Sequence, residues 1–221
     1  MKKMKMIFFD TETTGLDFNK DKIIEIALLV VEDGQITEKY NKFIQQTNPL
    51  SNEIKELTGI DDEKLDEGVK ESKVADDLYK LLSPGTLMVA HNCQFDLNFI
   101  YNLLCKYYDE NKIDNLFKNI LWLDSLTIFK DRKRFPHKLK DMVSYYNIGD
   151  VKFHRAIDDT IALSKCVKAL NEERNDIFEY VNVFGFNPKY GINGMEFDFI
   201  RYVPQKYNKY MVNKEFILPY L

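Results

Sequence analysis

The sequence predicts an α/β fold built on a mixed five-stranded sheet, and two observations carry that expectation. Three strand-like runs come first, the last two joined by Glu32-Asp33-Gly34, a strong hairpin signal. After residue 50 the apolar period changes, and short buried strands alternate with helical stretches, as in a sheet covered by helices. The chain has 221 residues, enough for one domain with a sizeable core and an appendage.

In order, Met4–Phe9, Lys22–Val31 and Gln35–Ile44 read as strands. Ser51 is placed to cap a helix through Leu57 that ends at Gly59, and Glu71–Leu82 reads as another helix before Ser83-Pro84-Gly85. Thr86–Ala90 is a short buried strand, followed by a helix over Gln94–Tyr107 that Asn92 is positioned to cap. A fifth strand at Asn119–Leu123 precedes helices at Ser125–Phe129, Leu139–Tyr146 and Ala156–Leu170. Beyond residue 172 the texture changes. Glu173–Phe184 reads as one more helix, and the glycines and prolines after it mark loops and short strands such as Met195–Val203. The expected division is a domain over residues 1–172 and a C-terminal extension over 173–221.

Hydrophobic content of 45% is ordinary for a folded protein, and a net charge of −4 does not advertise a polyanionic partner. An acidic balance still permits one, because catalytic carboxylates add negative charge while basic residues cluster locally. Cys93, Cys105 and Cys166 are odd in number and lack paired spacing, so they read as reduced, buried thiols. The apolar run in MKKMKMIFF is too short for a signal peptide, and KIIEIALLVV is far short of a membrane span. A cytoplasmic protein with no membrane partner is expected.

Three short motifs carry chemistry. Asp10 and Glu12 close the first strand, and residues two apart in an extended chain share a face, so both carboxylates can reach one cation. Asp96 shares a helical stripe with Ile100, Leu103 and Tyr107. A carboxylate on an apolar stripe is costly unless a cation binds it, yet an Asp in a first helical turn is also favoured by the helix dipole alone. Asp159 runs with Leu163, Cys166 and Leu170 and should face the core, whereas Asp158 runs with Ala162, Lys165 and Ala169 on a more solvent-like row. Five residues of helix turn through roughly 500°, which puts His154 off the face of Asp159 and on the loop that leads into the helix.

Taken together, DTE at 10–12, HNCQFD at 91–96 and HRAIDD at 154–159 resemble the DEDDh (DnaQ-like) 3′→5′ exonuclease family, which includes the proofreading epsilon subunit of bacterial DNA polymerase III. The resemblance covers roughly residues 4–171 and takes in LTGI at 57–60 and LDSL at 123–126. It implies a ribonuclease H-like sheet and a hydrolase that removes nucleoside 5′-monophosphates from the 3′ end of DNA. It also implies two Mg²⁺ or Mn²⁺ ions, the usual device for stabilising both the attacking and the leaving oxygen. On the family's pattern Asp10, Glu12, Asp96 and Asp159 hold the ions, Asp10 bridging them, and His154 is the general base.

Thr13, Thr14, Gly15, Leu16, Leu57 and Thr58 fall where the family seats the terminal nucleotide. Lys130–Lys140 holds six Lys or Arg, and Arg132, Lys133 and Arg134 are candidate phosphate contacts; a solvated loop explains the stretch about as well. His137, in the same stretch, reads as a surface residue; Tyr202, Lys206, Tyr207, Lys209 and Tyr210 are of a kind that stacks on single-stranded bases, but packing against the domain is the favoured reading. The implied partners are single-stranded or frayed 3′ ends of DNA and a DNA polymerase. The alternatives are trimming of RNA 3′ ends, or a non-catalytic nucleic-acid-binding module of the same fold.

Overall fold

A computed structural model describes residues 4–151 and 155–205. The chain opens with β1 (Lys5–Thr13), β2 (Ile23–Glu32) and β3 (Gln35–Phe43), an antiparallel meander. Its second turn is Asp33-Gly34, both at positive φ, the backbone that a tight hairpin requires. Helices α1 (Asn52–Thr58), α2 (Asp62–Asp66) and α3 (Glu71–Leu81) lead to β4 (Leu87–Ala90). Ser51 accepts from the Ile54 N–H and Gly59 ends α1 at φ 65°, so both of its expected punctuation marks are used.

Then follow α4 (Cys93–Tyr107), α5 (Glu110–Lys118), β5 (Leu121–Asp124), α6 (Ser125–Arg132), α7 (Leu139–Tyr145) and α8 (Ala156–Glu173). The sheet order is β3-β2-β1-β4-β5, with β4 and β5 parallel to β1. This is the mixed five-stranded sheet flanked by helices that the sequence predicts. Helix α5 was not foreseen, although Asp109 caps it and Ile113 and Phe117 are buried at helical spacing.

Alternation along β1 divides the core in two. Ile7 and Phe9 pack against α3, α4 and α5, whereas Phe8 packs on the other face with α7 and α8. The same alternation sends Asp10 and Glu12 toward the α8 face and Thr11 toward the α4 face. β2 is buried along nearly its whole length, β3 is an exposed edge, and β4 and β5 are short and almost wholly buried.

The expected helix over Glu173–Phe184 does not form. Helix α8 runs on to Glu173, a 3-10 turn spans Ile177–Tyr180, and β6 (Val183–Phe186) pairs in parallel with β7 (Arg201–Pro204), a shorter strand than Met195–Val203. The cause is a demand from the sheet. Asn182, at φ 59°, accepts from the Trp122 N–H and donates to the Trp122 carbonyl, so an extended segment covers the open edge of β5. Tyr180 and Val183 join one core, and Phe184, Phe197 and Ile200 the other. Tyr202 packs as expected, donating to Gln94, while Lys206, Tyr207, Lys209 and Tyr210 lie outside the described residues.

Candidate active site

The C-terminal end of β1 brings carboxylates together from both faces of the sheet. Asp10 and Glu12 point to the α8 side, where Asp159 enters from the first turn of α8, and one oxygen from each lies within 4.8 Å of the others. Asp159 is buried, and Leu163, Cys166 and Leu170 continue its stripe into the core. Asp158 is half-buried and its row is mixed, since Ala162 is buried and Lys165 exposed.

Asp96 arrives from the opposite face on α4, buried at 3% exposure. Thr11, the residue between the two β1 carboxylates, clamps it: the Thr11 N–H and hydroxyl both donate to one Asp96 oxygen, at 3.0 and 2.7 Å. Ile100 and Leu103 extend its stripe into the core, but Tyr107 at the helix end is exposed and donates to Glu71. His154 lies outside the described residues.

Without a cation this arrangement is electrostatically costly. Surrounding protein desolvates Asp10, and the charges of Asp96, Asp159 and Glu12 add to that, holding its carboxyl well above the usual range. Glu12 is pushed up to about 7 by desolvation and then by Asp159, Glu25 and Asp96. Asp96 is pushed up to about 7 by burial, against the lowering effect of its two Thr11 hydrogen bonds. A cluster of hard oxygen donors that resist ionising together suits a hard divalent cation.

Two contributors escaped the sequence reading. Glu25, opposite Glu12 on β2, is fully buried; its Oε1 accepts from Asn41 and lies 3.8 Å from the Arg155 guanidinium, and its Oε2 has no hydrogen-bond partner among the described residues. The signal was present, since one Glu interrupts the apolar run IIEIALLVV. Asp124 is the second. Its Oδ1 accepts from the Asn92 and Cys93 N–H groups, so it caps α4 from β5 and fixes the turn that carries Asp96. Asn92 therefore does not cap α4: it sits at φ 70° and makes no side-chain capping bond.

The remaining expected residues separate into two groups. Thr13 donates to the Gly15 carbonyl and Thr14 to Asp21, and a Cβ on Gly15 would fall 2.4 Å from the Asp21 carboxylate, so this turn is tightly folded. Leu16 at its tip is 82% exposed, and Leu57 is exposed as well. Thr58 is buried, and its hydroxyl donates to the Ile54 carbonyl and accepts from the Ile60 N–H at the end of α1.

The basic stretch needs a larger correction. Arg132 is buried, donating to the Leu170 carbonyl and pairing with Asp176, and Lys133 pairs with Glu173. Both cations staple α6 to the end of α8. Arg134 is exposed. His137 is not a surface residue: it is 7% exposed, and its carbonyl contacts the His91 ring at 2.8 Å.

A family model described as Exonuclease, RNase_T, matches residues 7–167. The DNA polymerase III PolC-type of Latilactobacillus sakei is 28% identical over 192 residues, covering 87% of this chain and 13% of that protein. That of Bacillus cereus is 35% identical over 175 residues, 79% of this chain and 12% of that one. The 3′-5′ exonuclease DinG of Bacillus subtilis is 41% identical over 101 residues, 45% of this chain and 11% of that one. The chain thus spans about an eighth or less of these relatives' lengths. Among solved structures, the zinc-bound complex of E. coli ExoI with ssDNA superposes with a TM-score of 0.72 at 18% identity, covering 81% of this chain and 43% of that one, a likeness of fold.

Proposed function

The chain belongs to the exonuclease family, and from that premise we propose that it hydrolyses phosphodiester bonds at the 3′ end of DNA, releasing nucleoside 5′-monophosphates. The observation that supports this most is the convergence of Asp10, Glu12 and Asp159 on one point, with Asp96 clamped beside them. Those four carboxylates would hold two Mg²⁺ or Mn²⁺ ions, which supply Lewis acidity and lower the pKa of water. Asp10 is the proposed shared ligand, since its carboxyl feels Asp96 from one face of the sheet and Asp159 from the other.

The protein's own work is to orient and to move one proton. Thr13, Thr14 and Gly15 form the rigid turn against which the terminal nucleotide rests, and exposed Leu16 and Leu57 offer apolar surface to its base. Arg134 is kept as a phosphate contact; Arg132 and Lys133 are left out because internal carboxylates already hold them. His154, two residues before the start of α8 in the sequence, accepts the proton of the attacking water. Residues 1–172 constitute the hydrolytic domain and 173–221 its extension. A cytoplasmic setting and a DNA polymerase partner complete the proposal; no helix among the described residues is long and apolar enough to cross a membrane.

The test uses 5′-labelled single-stranded DNA and RNA of matched sequence, in chelator and then with Mg²⁺ or Mn²⁺. A ladder shortening from the 3′ end of DNA only after metal addition is expected. Cleavage in excess chelator ends the metal reading, internal cuts end the exonuclease reading, and faster loss of RNA moves the substrate to RNA.

A further inference from the structure

Two adjoining cavities, of about 450 and 340 Å³, lie where the start of α4 meets the C-terminal extension, and they share Asn92, Lys130 and Asn187. Among the described residues, no Asp or Glu lines either one. Three other surface hollows each contain a carboxylate: Asp141 in one, Glu38 and Asp77 in another, Asp21 and Glu71 in the third. In a chain with 35 acidic residues and a net charge of −4, a carboxylate-free groove with a lysine in its wall suits a polyanion.

The groove is built from groups that read bases. Its wall carries the amides of Asn92 and Asn193, and an amide offers both donor and acceptor to a base edge. Asn92 is relieved of capping duty because Asp124 caps α4 in its place. Tyr190 stands at the rim, 75% exposed, with the Lys189 ammonium 4.9 Å from its ring centre. An exposed ring with a cation beside it is a stacking platform for a nucleobase.

This rim is rigidly seated on the helix that bears Asp96. The Lys189, Tyr190 and Gly191 N–H groups all donate to Asn187, fixing the turn. Buried Gln94 donates to the Met195 carbonyl and buried Asn98 to the Asn193 carbonyl. Gly194, at φ 116°, approaches so closely that a Cβ would fall 2.0 Å from the Asn98 amide. Asn92, shared by both cavities, precedes by four residues the Asp96 that the same helix carries.

We propose that this groove binds the single-stranded DNA lying 5′ of the scissile bond, with Tyr190 stacking on a base, Asn92 and Asn193 meeting base edges, and Lys130 and Lys189 meeting phosphates. It rests on the hydrolytic reading only for which part of the strand is held. Binding of a labelled ten-nucleotide single strand, measured by anisotropy in excess chelator, tests it without turnover. Tyr190→Ala should weaken binding roughly tenfold while Tyr190→Phe keeps it, because stacking needs the ring and not the hydroxyl. Lys130→Gln should make binding less steeply dependent on salt. With metal restored, Tyr190→Ala should raise KM for the ten-mer and leave dinucleotide hydrolysis unchanged.

Equal binding by wild type and Tyr190→Ala overturns the groove, as does an equal loss on dinucleotide and ten-mer. Tyr190-dependent binding by a protein that cleaves neither substrate supports the groove and removes the hydrolytic reading instead.

Discussion

Two charged clusters lie in this molecule, and they are built on opposite principles. At the end of β1, carboxylates face carboxylates: burial holds Asp10, Glu12 and Asp96 above their ordinary pKa values, and the neighbouring carboxylates of the cluster push Asp10 and Glu12 further up. At the junction of α6, the end of α8 and the segment that leads to the 3-10 turn, opposite charges interleave: Arg132 with Asp176, Lys133 with Glu173, Arg174 with Asp176. There burial alone would raise Glu173, yet its Lys133 and Tyr146 hydrogen bonds hold it below the usual range. Tyr180 closes the network, accepting from Arg174 and donating to buried Asp131. A cluster that satisfies itself fastens the fold; one that cannot is held for a ligand from outside.

The largest test of that contrast is on turnover. Asp10→Asn or Asp159→Asn should lower kcat on the order of 10³-fold without unfolding the protein, because each removes a designed charge from the reacting centre. Asp158→Ala, one residue away, should leave kcat close to wild type. A reversal between Asp158 and Asp159 would break the assignment of faces on α8.

Next in size is His154→Ala, expected to lower kcat on the order of 10²-fold with little change in KM, since a general base acts on water and does not hold substrate. A wild-type pH–rate profile should carry a limb that the variant lacks. Near-normal kcat would remove histidine from the chemistry.

The opposite-charge cluster should behave in reverse. Arg132→Met removes one of the two arginines that pair with the largely buried Asp176, and the donor to the Leu170 carbonyl, and should cost about 1–3 kcal/mol of stability, read by denaturant titration. The folded variant at low temperature should keep its kcat and the salt dependence of its KM. A change in that salt dependence would restore the basic stretch as a phosphate contact.

The smallest effect is on metal-free stability against pH. Glu12 and Asp96 keep protons in the folded protein up to about pH 7 that the unfolded chain releases near pH 4. The folded state therefore binds more protons across that window, and these groups make stability fall as pH rises through it. His91 and His137, whose pKa values burial lowers, act in the opposite direction. The diagnostic is thus a difference: in chelator, the Tm of Glu12→Gln should gain on wild type from pH 5 to 8. Added Mg²⁺ should raise wild-type Tm more at pH 8 than at pH 5. A constant difference between the two proteins would show that the fold does not raise the Glu12 pKa.

By itself the sequence determined what is periodic or local. The β1 alternation put Asp10 and Glu12 on one face, the 159/163/166/170 stripe turned Asp159 inward, and Ser51, Gly59 and Asp33-Gly34 marked ends and turns that the fold uses. Only the tertiary structure decided which groups meet. Asp96 reaches the cluster from the far side of the sheet through Thr11, 85 residues away in the chain. Asp124 takes the capping duty expected of Asn92 from a distance of 32 residues. Arg132 and Lys133, which as a run of charge resemble a nucleic-acid patch, are claimed by Asp176 and Glu173, 44 and 40 residues on. Local spacing dictates where a side chain points, because backbone geometry repeats every two or 3.6 residues. Which partner waits there depends on how distant segments pack, and that leaves no period in the sequence.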